Sequence, residues 1–310
     1  MPTSNLKSDI LLLLTAVIWG FAFVAQRMGM SYVGPFTYSA TRFTLGVAVL
    51  LPFALTSWRK GYFGADLQPA AFKSYLWGGL TAGLALFGGV SFQQVGLVYT
   101  TAGNAGFITG LYVVLVPILG LLGRQRTTAG TWAGAVLAVA GLYLLSVNAN
   151  FNINRGDLLV LGGAVIWAVH VHIVGYAAPR CDPLLFATVQ FTVCAALSWL
   201  WALWGEIIQW DGIVQAAIPI LYGGVLSVGI AYTLQVVAQR RAHPAHASIL
   251  LSLESVFAAI GGWLVLTELL SLRQFVGCAL MLAAMLLAQF DVFLQAQRLR
   301  LLRAGDKHHL

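Results

Sequence analysis

Charge is what this sequence has least of. Charged side chains make up 9% of the 310 residues and apolar ones 59%, whereas soluble domains run at about 25% and about 45–50%. That balance excludes an ordinary water-soluble fold. The net charge of +7 does not mark a nucleic-acid binder. The basic residues sit in short gaps between apolar runs, where they orient a membrane protein. Cysteine is nearly absent. Cys181, Cys194 and Cys278 form no CxxC pair and no Cys/His ligand spacing, which excludes a disulfide framework and a zinc site. Cys194 and Cys278 lie inside apolar runs and read as small packing residues. Catalytic signatures are missing as well. There is no Walker A sequence for direct ATP drive, no HExxH, no Asp-rich pair for a metal-bound diphosphate and no GxSxG elbow. These absences argue against an intramembrane enzyme and call for no cofactor. No repeated filter loop marks a channel.

What is present is a succession of apolar runs. A span needs about 20 mainly apolar residues to cross about 30 Å of hydrocarbon. Ten candidates meet this: 9–29, 35–57, 73–98, 102–122, 128–148, 156–178, 183–205, 213–238, 244–266 and 271–293. The expectation is an all-α polytopic membrane protein with no room for a separate soluble domain. The breakers fall between the runs, at Gly34-Pro35, Gly61, Gly64, Asp182-Pro183 and His243-Pro244. The first run passes through polar Gln26 and Arg27 without a small-x-small cleavage site, so it reads as an uncleaved span.

Two stretches of the chain match each other. Lys7, Asp9 and Ala16-Val17-Ile18-Trp19 correspond to Arg155, Asp157 and Ala164-Val165-Ile166-Trp167, 148 positions later; Pro35, Phe43 and Thr44 correspond to Pro183, Phe191 and Thr192 at the same offset. Residues 1–150 and 151–297 are therefore expected to be two related units of five spans, followed by a basic tail, 298–310. With the N-terminus placed in the cytoplasm, thirteen Lys and Arg fall on that side. They are Lys7, Arg59, Lys60, Lys73, Arg124, Arg126, Arg180, Arg240, Arg241, Arg298, Arg300, Arg303 and Lys307. Three, Arg27, Arg155 and Arg273, fall opposite. Both termini are thus expected in the cytoplasm. Five is odd, so the second unit enters the membrane from the other side, and the two form an inverted repeat.

Several residues stand out within the spans. Trp19 and Trp167 each lie ten residues past the Asp that opens their helix, about 15 Å deep and near the midplane. Tryptophan usually prefers the interface, so a matched pair at depth reads either as a cavity wall or as helix–helix packing. His170 and His172 stand where the first copy has Ala22 and Val24. His170 shares a face with Trp167 at i+3 and either lines a path or forms a satisfied structural contact. Gln94 shares a face with Phe87 at i+7, and Tyr232, Gln235 and Gln239 form an i, i+3, i+7 stripe. Such amides line cavities or tie helices together. Arg42 and Glu254 are the clearest full charges inside spans, where they must face protein or water. Three readings are open: a structural pair with each other, poles for a zwitterionic cargo, or, for Glu254, a coupling proton site.

Ala16-Val17-Ile18-Trp19-Gly20, Ala164-Val165-Ile166-Trp167-Ala168, Pro35, Pro183 and the late Leu266-Thr267-Glu268 followed by Gln274-Phe275-Val276-Gly277 resemble the EamA-type branch of the drug/metabolite transporter superfamily. The resemblance covers nearly the whole chain. The first half departs from it in carrying Arg126 near the Glu position. Within the family, the many aromatics look like the YddG-like amino-acid exporters. The resemblance implies a secondary carrier in the bacterial inner membrane. Its cargo would be small metabolites, neutral or aromatic amino acids first, moved by alternating access with spans 5 and 10 peripheral. Trp19, Trp167 and His170 would contact cargo, with Gln94, Tyr232 and Gln235 as polar lining. The rival is a proton-coupled exporter of drugs or quaternary amines. Its small four-span relatives depend on an acid within span 1, where this chain has Trp19. The partners implied are a small-molecule substrate and the lipid bilayer.

Overall fold

A computed structural model describes residues 6–59, 69–121, 129–146, 154–242, 244–284 and 286–287. Among these, eight helices are long and apolar enough to cross a membrane: α1 (Leu6–Gly29), α2 (Pro35–Trp58), α3 (Leu76–Tyr99), α4 (Ala102–Gly120), α6 (Arg155–Arg180), α7 (Pro183–Gly205), α8 (Ala217–Gln239) and α9 (His246–Leu266). Two shorter apolar helices, α5 (Trp132–Leu145) and α10 (Leu272–Ala284), occupy the fifth and tenth positions. No strand occurs among the described residues. The chain is an all-α polytopic membrane protein. Arg124, Arg126, Lys60, Gly61, Gly64, His243 and the basic tail lie outside the described residues.

The helix starts follow local chemistry. Pro183 opens α7 behind Asp182, whose carboxylate accepts from the Leu184 and Leu185 amides at 3.0 Å. This is an N-cap followed by proline at the first helical position. Asn154 caps α6 by accepting from the Gly156 amide at 2.7 Å. Two further caps come from distant segments. Glu206, after α7, accepts from the amides of Phe36 and Thr37 at the start of α2. Glu268, after α9, accepts from the amides of Ala102 and Gly103 at the start of α4. Each puts a carboxylate on the positive end of a helix dipole. Glu268 reaches α4 because Thr267 adopts the left-handed conformation (φ 54), which ends the helix and lets the Glu268 amide bond back to the Gly262 carbonyl.

The packing comes in matched pairs. α2 packs on α7 and α4 on α9; α1 packs on α8 and α9, as α6 does on α3 and α4; α3 also packs on α7, as α8 does on α2. Small residues permit the close crossings. A Cβ on Gly106 of α4 would stand 2.3 Å from the Ala258 Cβ of α9, and one on Gly20 of α1 would stand 2.3 Å from the Phe257 Cβ. The outer surface carries exposed Leu203, Trp204, Ile218 and Leu272, the apolar coat a bilayer requires.

Three helices are irregular. α4 breaks at Leu111 and α9 at Leu253, and both residues have φ −61 and ψ −15. The hydrogen bonds around them repeat as well. Leu111 N bonds Ile108 O, and Val114 N and Leu115 N both bond Leu111 O; Leu253 N bonds Leu250 O, and Val256 N and Phe257 N both bond Leu253 O. The residues that open the second halves are Tyr112 and Glu254. In α8, Tyr222–Tyr232 winds as a π-helix, a form that concentrates at functional sites.

Candidate functional site

The irregular segments converge on one cavity. It is walled by Trp19 and Gln26 of α1, Arg42 of α2, Gln93 of α3, Thr109 and Tyr112 of α4, Trp167 of α6, Ser227, Tyr232 and Gln235 of α8, and Leu251 and Glu254 of α9. Neither α5 nor α10 contributes a lining residue among those described. Its volume is about 30 Å³, room for about two water molecules.

Aromatic rings form its floor. Tyr232 stands at the centre, 4.5 Å from Trp19, 6.1 Å from Trp167, 6.2 Å from Phe43 and 5.7 Å from Phe191, measured between ring centroids. Trp19 with Trp167, and Phe43 with Phe191, are the residues matched at the 148-residue offset. A single tyrosine is thus enclosed by two pairs of repeat-related rings, each contact within the 4.5–7 Å range of favourable aromatic pairing.

The indole N–H groups are both committed. Trp19 Nε1 donates to the Ser227 carbonyl at 3.3 Å, inside the π-helix. Trp167 Nε1 donates to Gln93 Oε1 at 3.0 Å; Gln93 Nε2 donates to Gln26 Oε1 at 3.0 Å; Gln26 Nε2 donates to the Ala22 carbonyl at 3.1 Å. This relay joins α6, α3 and α1 across the cavity wall.

Six of the residues that the sequence singles out meet at the cavity: Trp19, Trp167, Tyr232, Gln235, Arg42 and Glu254. Gln94 and His170 do not line it. The register with Phe87 put Gln94 on the inner face, but Phe87 packs against Phe36 at 6.5 Å. A helix turns about 100° per residue, so the neighbouring Gln93 faces the cavity instead. His170 is fully buried behind Trp167, its ring edge-on at 5.6 Å and its Nε2 3.0 Å from Gln190 Oε1. His172 Nε2 lies 2.8 Å from the Val116 carbonyl and ties α6 to α4. Spacing gives no sign of Gln26, Gln93, Thr109 or Ser227. Tyr112 does carry a signal, as the counterpart of Glu254 at the second helix break.

Both ends of the bundle are tied. At the end carrying Lys7, His246 Nε2 lies 2.8 Å from Asp9 Oδ1, and Ser57 donates to Asp182 at 2.9 Å. At the other end stand the Glu206 and Glu268 caps, together with Thr100 donating to Asp157 and Arg27 donating to the Leu97 carbonyl. The three cysteines are free and buried. Burial pushes the Cys181 thiol, in the turn before α7, up to about 11.

Comparison with known proteins settles the class. The EamA-like transporter family profile matches residues 6–147 and again residues 154–290. The chain belongs to the EamA-like transporter family. An uncharacterized transporter of Archaeoglobus fulgidus is 32% identical over 93% of this chain and 87% of its own length. The threonine/homoserine exporter RhtA of Escherichia coli is 27% identical over 89% of this chain and 88% of its own. A crystal structure at 22% identity superimposes with a TM-score of 0.69, covering 96% of this chain and 99% of the other. In this EamA family member the cavity therefore lies inside a transporter fold.

Proposed function

We propose that this chain is a secondary carrier that exports small neutral or aromatic amino acids from the cytoplasm across the bacterial inner membrane, with both termini cytoplasmic. Its working parts are two inverted five-span units, residues 1–150 and 151–297. The paired helix contacts, the identical breaks at Leu111 and Leu253 and the double family match support that division. Inverted units offer two pseudo-equivalent arrangements of one bundle, the basis of alternating access.

The single observation that carries the reading is the cavity itself. It is walled by the repeat-related Trp19 and Trp167 with Tyr232, and bordered by buried polar atoms that have no hydrogen-bond partner among the described residues: Arg42 Nε, Thr109 Oγ1 and Gln235 Oε1. Buried polar groups are nearly always paired, so this set is suited to a polar cargo. The rings suit an apolar side chain, and the indoles can attract an ammonium group, worth about 2 kcal/mol when desolvated. At about 30 Å³ the space is too small for an amino acid, so loading requires one end of the bundle to open. The Asp9–His246 and Ser57–Asp182 ties would part for entry from the cytoplasm, and the Glu206 and Glu268 caps for release outside. RhtA, an amino-acid exporter by name, supports the cargo class.

The test is transport by the purified protein in liposomes, measured with labelled amino acids, sugars and quaternary amines. Amino-acid flux that saturates is the expected result. Flux of sugars or quaternary amines without amino-acid flux rejects the reading.

A further inference from the structure

Resting on that reading, one feature of the cavity names the chemistry of the cargo. Arg42 and Glu254 both face the cavity, and both are buried, with 2% and 4% of their surface exposed. Among the described residues no ion pair joins them. The Arg42 guanidinium is held against two rings, 5.5 Å from the centroid of Tyr38 and 5.0 Å from that of Phe43. Those contacts steady the cation through ring faces and leave its Nε donor without an acceptor among the described residues. Guanidinium presents five donors in a fork that fits a carboxylate. An unmatched cation of this kind is costly away from water.

Glu254 has the complementary position. The other buried or capping carboxylates are each engaged elsewhere: Asp9 by His246, Asp157 by Thr100, Asp182, Glu206 and Glu268 by helix amides. Glu254 opens the second half of broken α9, beside the Tyr112 hydroxyl that opens the second half of α4. Tyr232, at the centre of the aromatic floor, lies within electrostatic reach of both Arg42 and Glu254.

We infer that Arg42 and Glu254 are the two poles of a clamp for a zwitterionic α-amino acid. The guanidinium takes the carboxylate in a bidentate contact. Glu254, with Tyr112, takes the ammonium. Trp19, Tyr232 and Trp167 hold the side chain. Each protein charge then meets an opposite charge, the arrangement that makes buried ions tolerable. A cargo that lacks either the carboxylate or the ammonium leaves one pole bare. This excludes free amines and N-acylated acids while accepting side chains of different shape, because the rings are contacted without a directional bond.

The full-length protein in liposomes tests the clamp through competition against labelled L-phenylalanine and L-threonine uptake. Unlabelled amino acid competes. Phenethylamine, which lacks the carboxylate, and N-acetyl-L-phenylalanine, which lacks the ammonium, compete more weakly by about 30-fold or more, as expected for loss of a charge-assisted contact. Arg42→Gln and Glu254→Gln each reduce amino-acid uptake by a similar factor, and Arg42→Lys, which keeps the charge but not the fork, falls in between. Thermal melting in detergent identifies any variant that fails to fold, and the competition profile of the wild-type protein decides the matter without variants. Equal competition by either analogue overturns the clamp while leaving amino-acid export standing. Glu254→Gln that abolishes dependence on a pH gradient yet keeps the wild-type competition profile also overturns it. Absence of amino-acid uptake by the wild type overturns the export reading and the clamp together.

Discussion

Tyr232 and Trp167 show how few side chains define the centre of this protein. Trp167 heads the relay through Gln93 and Gln26, and its loss leaves Gln93 Oε1 buried without a donor. An orphaned buried acceptor costs about 1–3 kcal/mol, and hydrogen bonds between membrane helices are worth about 0.6–2 kcal/mol. Trp167→Phe is therefore expected to lower stability in detergent by about 1–3 kcal/mol. Adding Gln93→Leu removes that acceptor but takes the donor from Gln26 Oε1 in turn, so the double variant should lose less than the sum of the two single variants. Melting of the two single variants and the double variant gives the coupling energy; strict additivity would show that the relay does not exist. Of the polar residues here, the sequence points to Gln94 and the structure uses Gln93. In a helix apolar on nearly every side, no polar stripe fixes which face turns inward, so an error of one residue is invisible until the neighbours are placed.

Between helices, close crossings and long-range caps decide stability. Gly106 of α4 meets Ala258 of α9 where a Cβ would lie 2.3 Å from the Ala258 Cβ. Gly106→Ala should force the two broken helices apart, with a cost of about 1–3 kcal/mol typical of overpacking. Ala258→Gly in the same chain should relieve it. Equal melting of Gly106→Ala and the double variant would refute the contact. Glu268 makes the second case. Its two bonds to the start of α4, at 2.9 and 3.0 Å, are charge-assisted caps, and Glu268→Ala should cost about 1–2 kcal/mol. Glu268→Gln, which keeps one acceptor, should cost less. The motif Leu266-Thr267-Glu268 is visible in the sequence as a family feature, but its physical role is not. The capping partner lies 166 residues away, and only the left-handed Thr267 brings the carboxylate there.

Across the full bundle, the proposed inverted arrangement makes a topological prediction. Ser31, in the turn between α1 and α2, and Arg241, after α8, stand exposed at opposite ends. In intact cells, a membrane-impermeant maleimide should label Ser31→Cys, and label Arg241→Cys only after permeabilisation. Background is expected to be low. The three native cysteines are buried, and the Cys181 thiol, raised to about 11, stays protonated and unreactive at pH 7. Labelling of both sites from outside would break the span count, and with it the pairing of the two units.

The order of residues along the chain is enough to establish the class, the number and placement of the apolar helices and the matched residues of the two copies. Those depend on composition and run length, which a bilayer reads directly. The same order marks Trp19, Trp167, Arg42 and Glu254, since tryptophan at depth and charge in hydrocarbon are exceptional wherever they occur. Only the folded bundle shows that Arg42 and Glu254 share a cavity without pairing. Only there does Tyr112 come beside Glu254, and Tyr232 between repeat-related rings. Those relations depend on how each helix is rotated against its neighbours, and that rotation is set by interlocking glycines, helix breaks and caps contributed from distant parts of the chain.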